Sequence, residues 1–283
     1  MFATSFIHRI PLARRSRPQV TSFIHRIVAR LSRPIHVAAA LSNASTSILQ
    51  QLSTNNFAVI PNFFASSLHP LPHSPPTTLP TFTQPESNCA QMRAEATHFF
   101  ESERFRISQS TRWSTSVPPE LEYYDKLNVH SMMLDPTEDI APILQEYIHD
   151  MASLIVPLVN ANCAHVQLSN TTDQQVINKL AVCTGDGSGY EQHIDNTGSD
   201  ERRLTVILYL NEWDPSQQGQ FRIHSPMKDT TVSPLVEPNA DTLVVFWSDQ
   251  LLHSTLPSFA PDGKDSFRYA LTLWFNGTRT TVE

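Results

Sequence analysis

The residue types best suited to chemistry lie in the second half of the chain. Tyr190-Glu-Gln-His193-Ile-Asp195 follows a glycine-rich stretch, TGDGSG. On an extended chain alternate side chains leave the same face, so His193 and Asp195 project together. His253 comes sixty residues after His193, beyond the apolar run TLVVFW and the turn SDQLL. Two imidazoles and one carboxylate, with the other coordination positions open, are the donor set of mononuclear non-haem Fe(II) centres. His-x-Asp is a short pattern in a chain with twelve histidines. A polar turn at 193–196 with a surface His253 fits the same residues.

Arg268 opens the run RYALTLWF. Strand alternation puts Arg268, Ala270, Thr272 and Trp274 on one face, and Tyr269, Leu271, Leu273 and Phe275 on the other. An arginine in an otherwise apolar strand must reach solvent or meet an anion inside. Its planar fork suits a carboxylate held by two parallel hydrogen bonds. An oxygenase that uses 2-oxoglutarate needs such a cation for the far carboxylate of the co-substrate. The other reading is an edge arginine that snorkels to water.

The elements that must position these groups are of two kinds. All seven glycines follow residue 184. The stretches 177–183, 203–210, 220–225, 242–247 and 268–275 are short, β-branched or aromatic, and separated by Gly, Pro, Asn or Asp. That spacing predicts an all-β barrel or sandwich. RLTVILYL and TLVVFW are apolar on both faces and read as central strands covered from outside. The cover is expected from helices at 86–104 and 138–162, the first with acids near its start and Arg104 near its end. Pro157 is expected to kink the second. A further helix is expected at 39–51, and FAVIPNFF (57–64) reads as a strand and turn. Residues 69–85 carry six prolines and read as an exposed loop.

Charge divides the 283 residues sharply. Residues 1–85 hold seven arginines and no lysine or acid, whereas 13 basic and all 27 acidic residues follow. So acidic a body is a poor binder of nucleic acid, which relies on many phosphate contacts. No apolar run approaches the roughly 18 residues of a membrane-spanning helix. Three cysteines without CxxC spacing argue against a disulfide framework and for an intracellular compartment. The near-duplicate TSFIHRIPLARRSRPQV and TSFIHRIVARLSRPIHV fills 4–37. Its Arg-rich, acid-free composition reads as a mitochondrial or plastid transit segment. The alternative is a basic tail on a cytoplasmic or nuclear protein. Residues 1–50 are therefore taken as a targeting or disordered segment and 51–283 as one domain.

With these residues in hand, a family resemblance is specific. GSGYEQHIDN, LTVILYLNEWD, FRI, VEPNADTLVVFWSD and RYALTLWF occur in the order found in iron- and 2-oxoglutarate-dependent dioxygenases of the prolyl 4-hydroxylase type. The chain most resembles the oxygen-sensing (hypoxia-inducible factor type) prolyl hydroxylases of animals. The strong part covers 176–276, and a weaker match reaches back to about residue 52. The resemblance implies a mainly β fold with packing helices and a double-stranded β-helix (jelly-roll) core.

It also implies a site. His193, Asp195 and His253 would hold Fe(II), and Arg268 would bind the distal carboxylate of 2-oxoglutarate. Tyr209 matches a tyrosine on that carboxylate, although a plain core aromatic is its other reading. Thr272, Trp274 and Cys183 match positions lining the cofactor pocket. The implied reaction consumes O2, with L-ascorbate keeping iron reduced, and hydroxylates C4 of a prolyl residue in a protein or peptide substrate. Succinate and CO2 are released. Residues 196–203 match a mobile substrate-contacting loop, or are an ordinary solvated turn.

The chain departs from the pattern at several points. Cys183 stands where the family has tyrosine, and Lys179 replaces an apolar pocket residue. The turn before His253 is one residue shorter, and the sequence ends seven residues after Asn276, so a C-terminal substrate-gripping helix is expected to be absent. Rival readings are a 2-oxoglutarate oxygenase of another amino acid, a small molecule or a nucleobase, and a non-catalytic jelly-roll binding protein.

Overall fold

A computed structural model describes residues 36–65, 87–138, 140–169, 176–198, 200–224 and 234–280. The duplicated basic segment up to residue 35 and the proline-rich stretch 69–85 lie outside the described residues. In chain order the elements are α1 (Val37–Asn55), β1 (Phe57–Ile60), α2 (Asn88–Glu101), β2 (Arg106–Trp113), β3 (Leu121–Met132) and α3 (Pro142–Asn162). There follow β4 (Val166–Leu168), β5 (Ile177–Cys183), β6 (Ser188–His193), β7 (Arg202–Tyr209), β8 (Phe221–Ile223) and β9 (Leu235–Val236). The last are β10 (Leu243–Trp247), β11 (His253–Ser258) and β12 (Arg268–Arg279).

The strands form two antiparallel sheets. The larger runs β1-β10-β7-β12-β5-β3-β2, with β4 pairing the far end of β12. The smaller runs β6-β11-β8-β9. Burial explains the order. Every residue of β10 is buried, and so are all but Arg202, Arg203 and Ile207 of β7, as expected of strands covered on both faces. Along β12 the odd-numbered Tyr269, Leu271, Leu273 and Phe275 are almost wholly buried, while Ala270, Thr272 and Trp274 are half-buried. The first set faces away from the smaller sheet, and the second lines a cavity between the sheets. Truncating Leu271 to alanine would cost about 2–5 kcal/mol.

Helices supply the outer cover. α1 buries Val37, Ala40, Leu41, Ala44, Ile48 and Leu52, a stripe at three- and four-residue spacing. It packs on β1, β10 and α3. Asn56, in the left-handed region at φ 67°, ends it and returns its N–H to Leu52 O. α3 runs through Pro157 and ends only at Asn162. The first two N–H groups of α3 after Pro142 donate to Glu95 of α2, at 3.1 Å from Ile143 and 2.9 Å from Leu144. That buried carboxylate satisfies donors a helix start otherwise leaves open, and burial pushes it up to about 7.

Two expectations for α2 change. It is capped by Ser87, whose hydroxyl accepts from Ala90 N, and has no acid in its first turn. Arg104 lies beyond its end and pairs with Glu138 at 2.8 Å. Serine accepts a backbone N–H as well as an acid can, which lets the helix start after Glu86.

Candidate active site

His193 closes β6 and His253 opens β11, and the two are paired across the small sheet. Gly189 permits this approach, because a Cβ there would stand 2.8 Å from Thr255 O. The imidazole centroids are 4.3 Å apart. Asp195 lies just past β6, with Oδ1 at 3.4 Å from His193 Nε2 and 3.8 Å from His253 Nε2. All three candidate ligand atoms fall within 4.8 Å of one another.

The hydrogen bonds around this trio fix which atoms face inward. Nδ1 of His193 is 2.7 Å from Glu191 O, and Nδ1 of His253 is 3.0 Å from Leu251 O. A carbonyl only accepts, so each imidazole carries its proton on Nδ1 and presents the Nε2 lone pair to Asp195. Asp195 Oδ2 accepts from Thr205 Oγ1 at 2.7 Å and Trp274 Nε1 at 2.9 Å. Its Oδ1 is left facing the imidazoles. Burial alone would raise the Asp195 carboxyl, but contacts with His193, His253, Trp274 and Thr205 outweigh it and hold the group well below its usual range. Burial lowers His253 to about 4. At neutral pH the donors are therefore a carboxylate and a neutral buried imidazole beside His193, a set that fits a divalent iron.

A second feature lies on the same cavity, which has a volume of about 670 Å³. Arg268 is 7% exposed. Its Nη2 lies 2.9 Å from Cys183 Sγ, its pairing partner on β5, and its guanidinium carbon sits 5.8 Å from the Tyr209 ring centroid. Its Nε is buried without a hydrogen-bond partner, and no carboxylate forms an ion pair with it among the described residues. Burial works against its charge, yet Cys183, Tyr209 and Tyr190 more than compensate and keep it protonated. A buried cation with an orphan donor in a cavity suits a small carboxylate ligand.

Residues 179–276 match the family model described as the 2OG-Fe(II) oxygenase superfamily. They form a 2OG-Fe(II) oxygenase domain. The chain is 37% identical over 100 residues to the hypoxia-inducible factor prolyl hydroxylase of Caenorhabditis elegans, covering 34% of this chain and 13% of that protein. It is 39% identical over 98 residues to prolyl hydroxylase EGLN3 of Mus musculus, covering 34% of this chain and 38% of that protein. The matched stretch thus spans less than two fifths of either relative. Among solved structures, a Trichoplax adhaerens prolyl hydroxylase bound to a hypoxia-inducible factor peptide fragment superposes with a TM-score of 0.62 at 22% identity. That match covers 87% of this chain and 94% of the other. A Pseudomonas putida prolyl-4-hydroxylase follows at TM-score 0.56 and 21% identity, over 82% and 98% of the two chains. These likenesses establish the jelly-roll fold of the oxygenase domain.

The domain brings every residue singled out from sequence to one cavity: His193, Asp195, His253, Arg268, Tyr209, Thr272, Trp274 and Cys183 all line it. Trp274 stands there as a donor to Asp195, and Tyr209 is 1% exposed beside Arg268. The loop after Asp195 is tied down by its own residues. The Asn196 amide donates to Asp200 O and Arg202 O and accepts from Gly198 N, and Arg202 pairs with Asp200 at 2.6 Å.

Two groups at the site lie outside the expectations drawn from sequence, Thr205 beside Asp195 and Lys126 on the cavity wall. Thr205 shares the Tyr209 face of β7, so strand parity could have found it. Lys126 sits on the polar hairpin formed by β2 and β3, whose pattern carries no apolar alternation, and no local signal points to it.

Proposed function

We propose that the chain is an Fe(II)- and 2-oxoglutarate-dependent dioxygenase that hydroxylates C4 of a prolyl residue in a protein substrate. The observation that carries this reading is the pairing of the His193–Asp195–His253 trio with a buried Arg268, whose Nε has no hydrogen-bond partner and which no carboxylate pairs among the described residues, in one cavity. A non-catalytic jelly roll has no use for both.

In this reading His193 Nε2, His253 Nε2 and Asp195 Oδ1 hold iron, and the guanidinium of Arg268 takes the distal carboxylate of 2-oxoglutarate. Bound iron supplies dioxygen activation at the expense of 2-oxoglutarate, which leaves as succinate and CO2, with ascorbate maintaining the reduced metal. Thr205 and Trp274 hold Oδ2 of Asp195 by their hydrogen bonds and leave Oδ1 turned toward the two imidazoles. Tyr209, Ile207 and Phe221 wall the pocket and exclude water from the reacting centre. The likeness to proteins named prolyl hydroxylases supports proline as the target. The basic, acid-free N-terminal composition supports an organellar destination.

The test is a peptide screen. Full-length protein, Fe(II), 2-oxoglutarate and ascorbate are incubated in air with proline-containing peptides and analysed by tandem mass spectrometry. One added oxygen located on proline is the expected product. Succinate formation with oxygen placed only on other residues would reassign the substrate.

A further inference from the structure

Beyond Arg268, and Arg202 which pairs with Asp200, two further cationic side chains line the cavity. Lys126 on β3 and Lys179 on β5 both line it. Their Nζ atoms lie 4.3 Å and 5.5 Å from the centroid of the Tyr190 ring. Lys179 Nζ also donates to Ser108 Oγ at 2.9 Å. Ser108 is on β2, so the Lys179 side chain crosses the sheet past β3, away from β12 and Arg268. Among the described residues neither lysine has a carboxylate at ion-pair distance. Asp195 and Glu191 act on Lys126 only through their fields, and Asp195 alone of the two on Lys179. Burial first, and then Lys179, bring Lys126 down to about 8, which still leaves it mostly protonated at pH 7.

Two ammonium groups on one aromatic ring, partly desolvated and without a counter-ion, are an unfavourable arrangement that an anion between them would relieve. The co-substrate has two carboxylates. On the proposed reading one end is at the iron and the other at Arg268, across the pocket. The lysines line the same cavity together with Tyr123, Tyr124 and Gln109 of the hairpin, within the fields of Asp195 and Cys183 but with the Lys179 side chain extended toward β2.

Resting on the oxygenase reading above, we propose that Lys126 and Lys179 flank Tyr190 as a specificity subsite for a carboxylate side chain of the substrate, an Asp or Glu close in sequence to the hydroxylated residue. The acidic residue of the substrate would lie across the Tyr190 edge between the two ammonium groups. The target side chain would be directed past the ring toward the His193–His253 pair. The Lys179 departure from the family pattern then marks a substrate preference particular to this chain.

The experiment uses full-length protein and fluorescein-labelled peptides with a single proline, carrying Glu or Gln at each flanking position in turn. Binding is read by anisotropy and turnover by succinate. At one or two positions the Glu peptide should bind about tenfold tighter than its Gln counterpart. The preference should vanish in the Lys126→Met/Lys179→Met protein, and Lys126→Glu should turn it toward a Lys-bearing peptide. Half-saturating 2-oxoglutarate should not change in any of them. Equal affinity for Glu and Gln peptides at every position would overturn the proposal. So would a rise in half-saturating 2-oxoglutarate on losing the lysines with the peptide preference intact, which would assign them to the co-substrate. Absence of succinate from the wild type would instead defeat the oxygenase reading, while anisotropy would still report the anion preference.

Discussion

The strands β5, β7 and β12 and the hairpin β2–β3 lie side by side in the large sheet and face the same cavity, yet they are built on different terms. The three strands each bury one face almost wholly, so each register shift would expose a row of leucines and aromatics. Their inward face is thereby fixed, and Arg268, Thr272, Trp274, Tyr209 and Thr205 can be placed closely. The hairpin has few buried residues, and Ile107, Tyr123 and Leu127 stand exposed on it at 46%, 73% and 62%. It brings Lys126 and the tyrosines to the cavity rim. On the proposed readings, the residues for metal and co-substrate sit where packing fixes geometry, and the substrate subsite joins Lys126 of the looser hairpin to Lys179 at the edge of the packed strands.

That contrast can be broken or sharpened by substitution. The largest effect should come from the trio. His253→Ala or His193→Ala should lower succinate formation by about a thousandfold or more, because a ligand is lost outright. Full activity in His253→Ala would remove the assignment. Arg268→Ala should leave iron binding intact and raise half-saturating 2-oxoglutarate about a hundredfold, measured by steady-state kinetics and by calorimetry with Mn(II) in place of iron. An equal loss of metal affinity would show that Arg268 supports the trio instead.

Trp274→Phe should keep the ring packing and delete only the donor to Asp195 Oδ2, costing about tenfold in metal affinity by competition with a chelator. Unchanged affinity would mean that Thr205 alone orients the carboxylate. The smallest effect is on pH. His253 is held near 4 by burial, below its unfolded value of 6.5. Between those values the unfolded chain binds the extra proton, so His253 makes the metal-free protein less stable as pH falls from about 6.5 to about 4. Melting temperatures across that range should drop less steeply in His253→Gln. Parallel curves would mean that the imidazole titrates normally.

How much of this was legible follows the same line. β7 and β10 could be read because their two-faced apolar character leaves little choice, β5 and β12 because they are short, rich in β-branched or aromatic residues and bounded by turn residues, and α3 because its apolar stripe recurs at helical spacing. Arg268 was legible as an oddity in an apolar strand. β6 and β11 are not among the strands expected from sequence, since SGYEQH and HSTLPS lack alternation, although His193 at the end of β6, Asp195 just past it and His253 at the start of β11 could be named. The β2–β3 hairpin was missed altogether, because its pairing pattern is polar on both faces and its role depends on where β5 and β6 bring their side chains. Trp274 was placed in the pocket by parity, but its hydrogen bond to Asp195 joins residues 79 apart in the chain and needed three dimensions.

The most direct measurement is iron-dependent turnover by the unaltered chain. Protein freed of metal is loaded anaerobically with Fe(II) and 2-oxoglutarate, exposed to air with a proline-containing peptide, and assayed for succinate beside the His253→Ala protein. The account predicts succinate that requires iron, rises with peptide and disappears in the variant. Stoichiometric iron binding by both proteins, with no succinate from either, would contradict it.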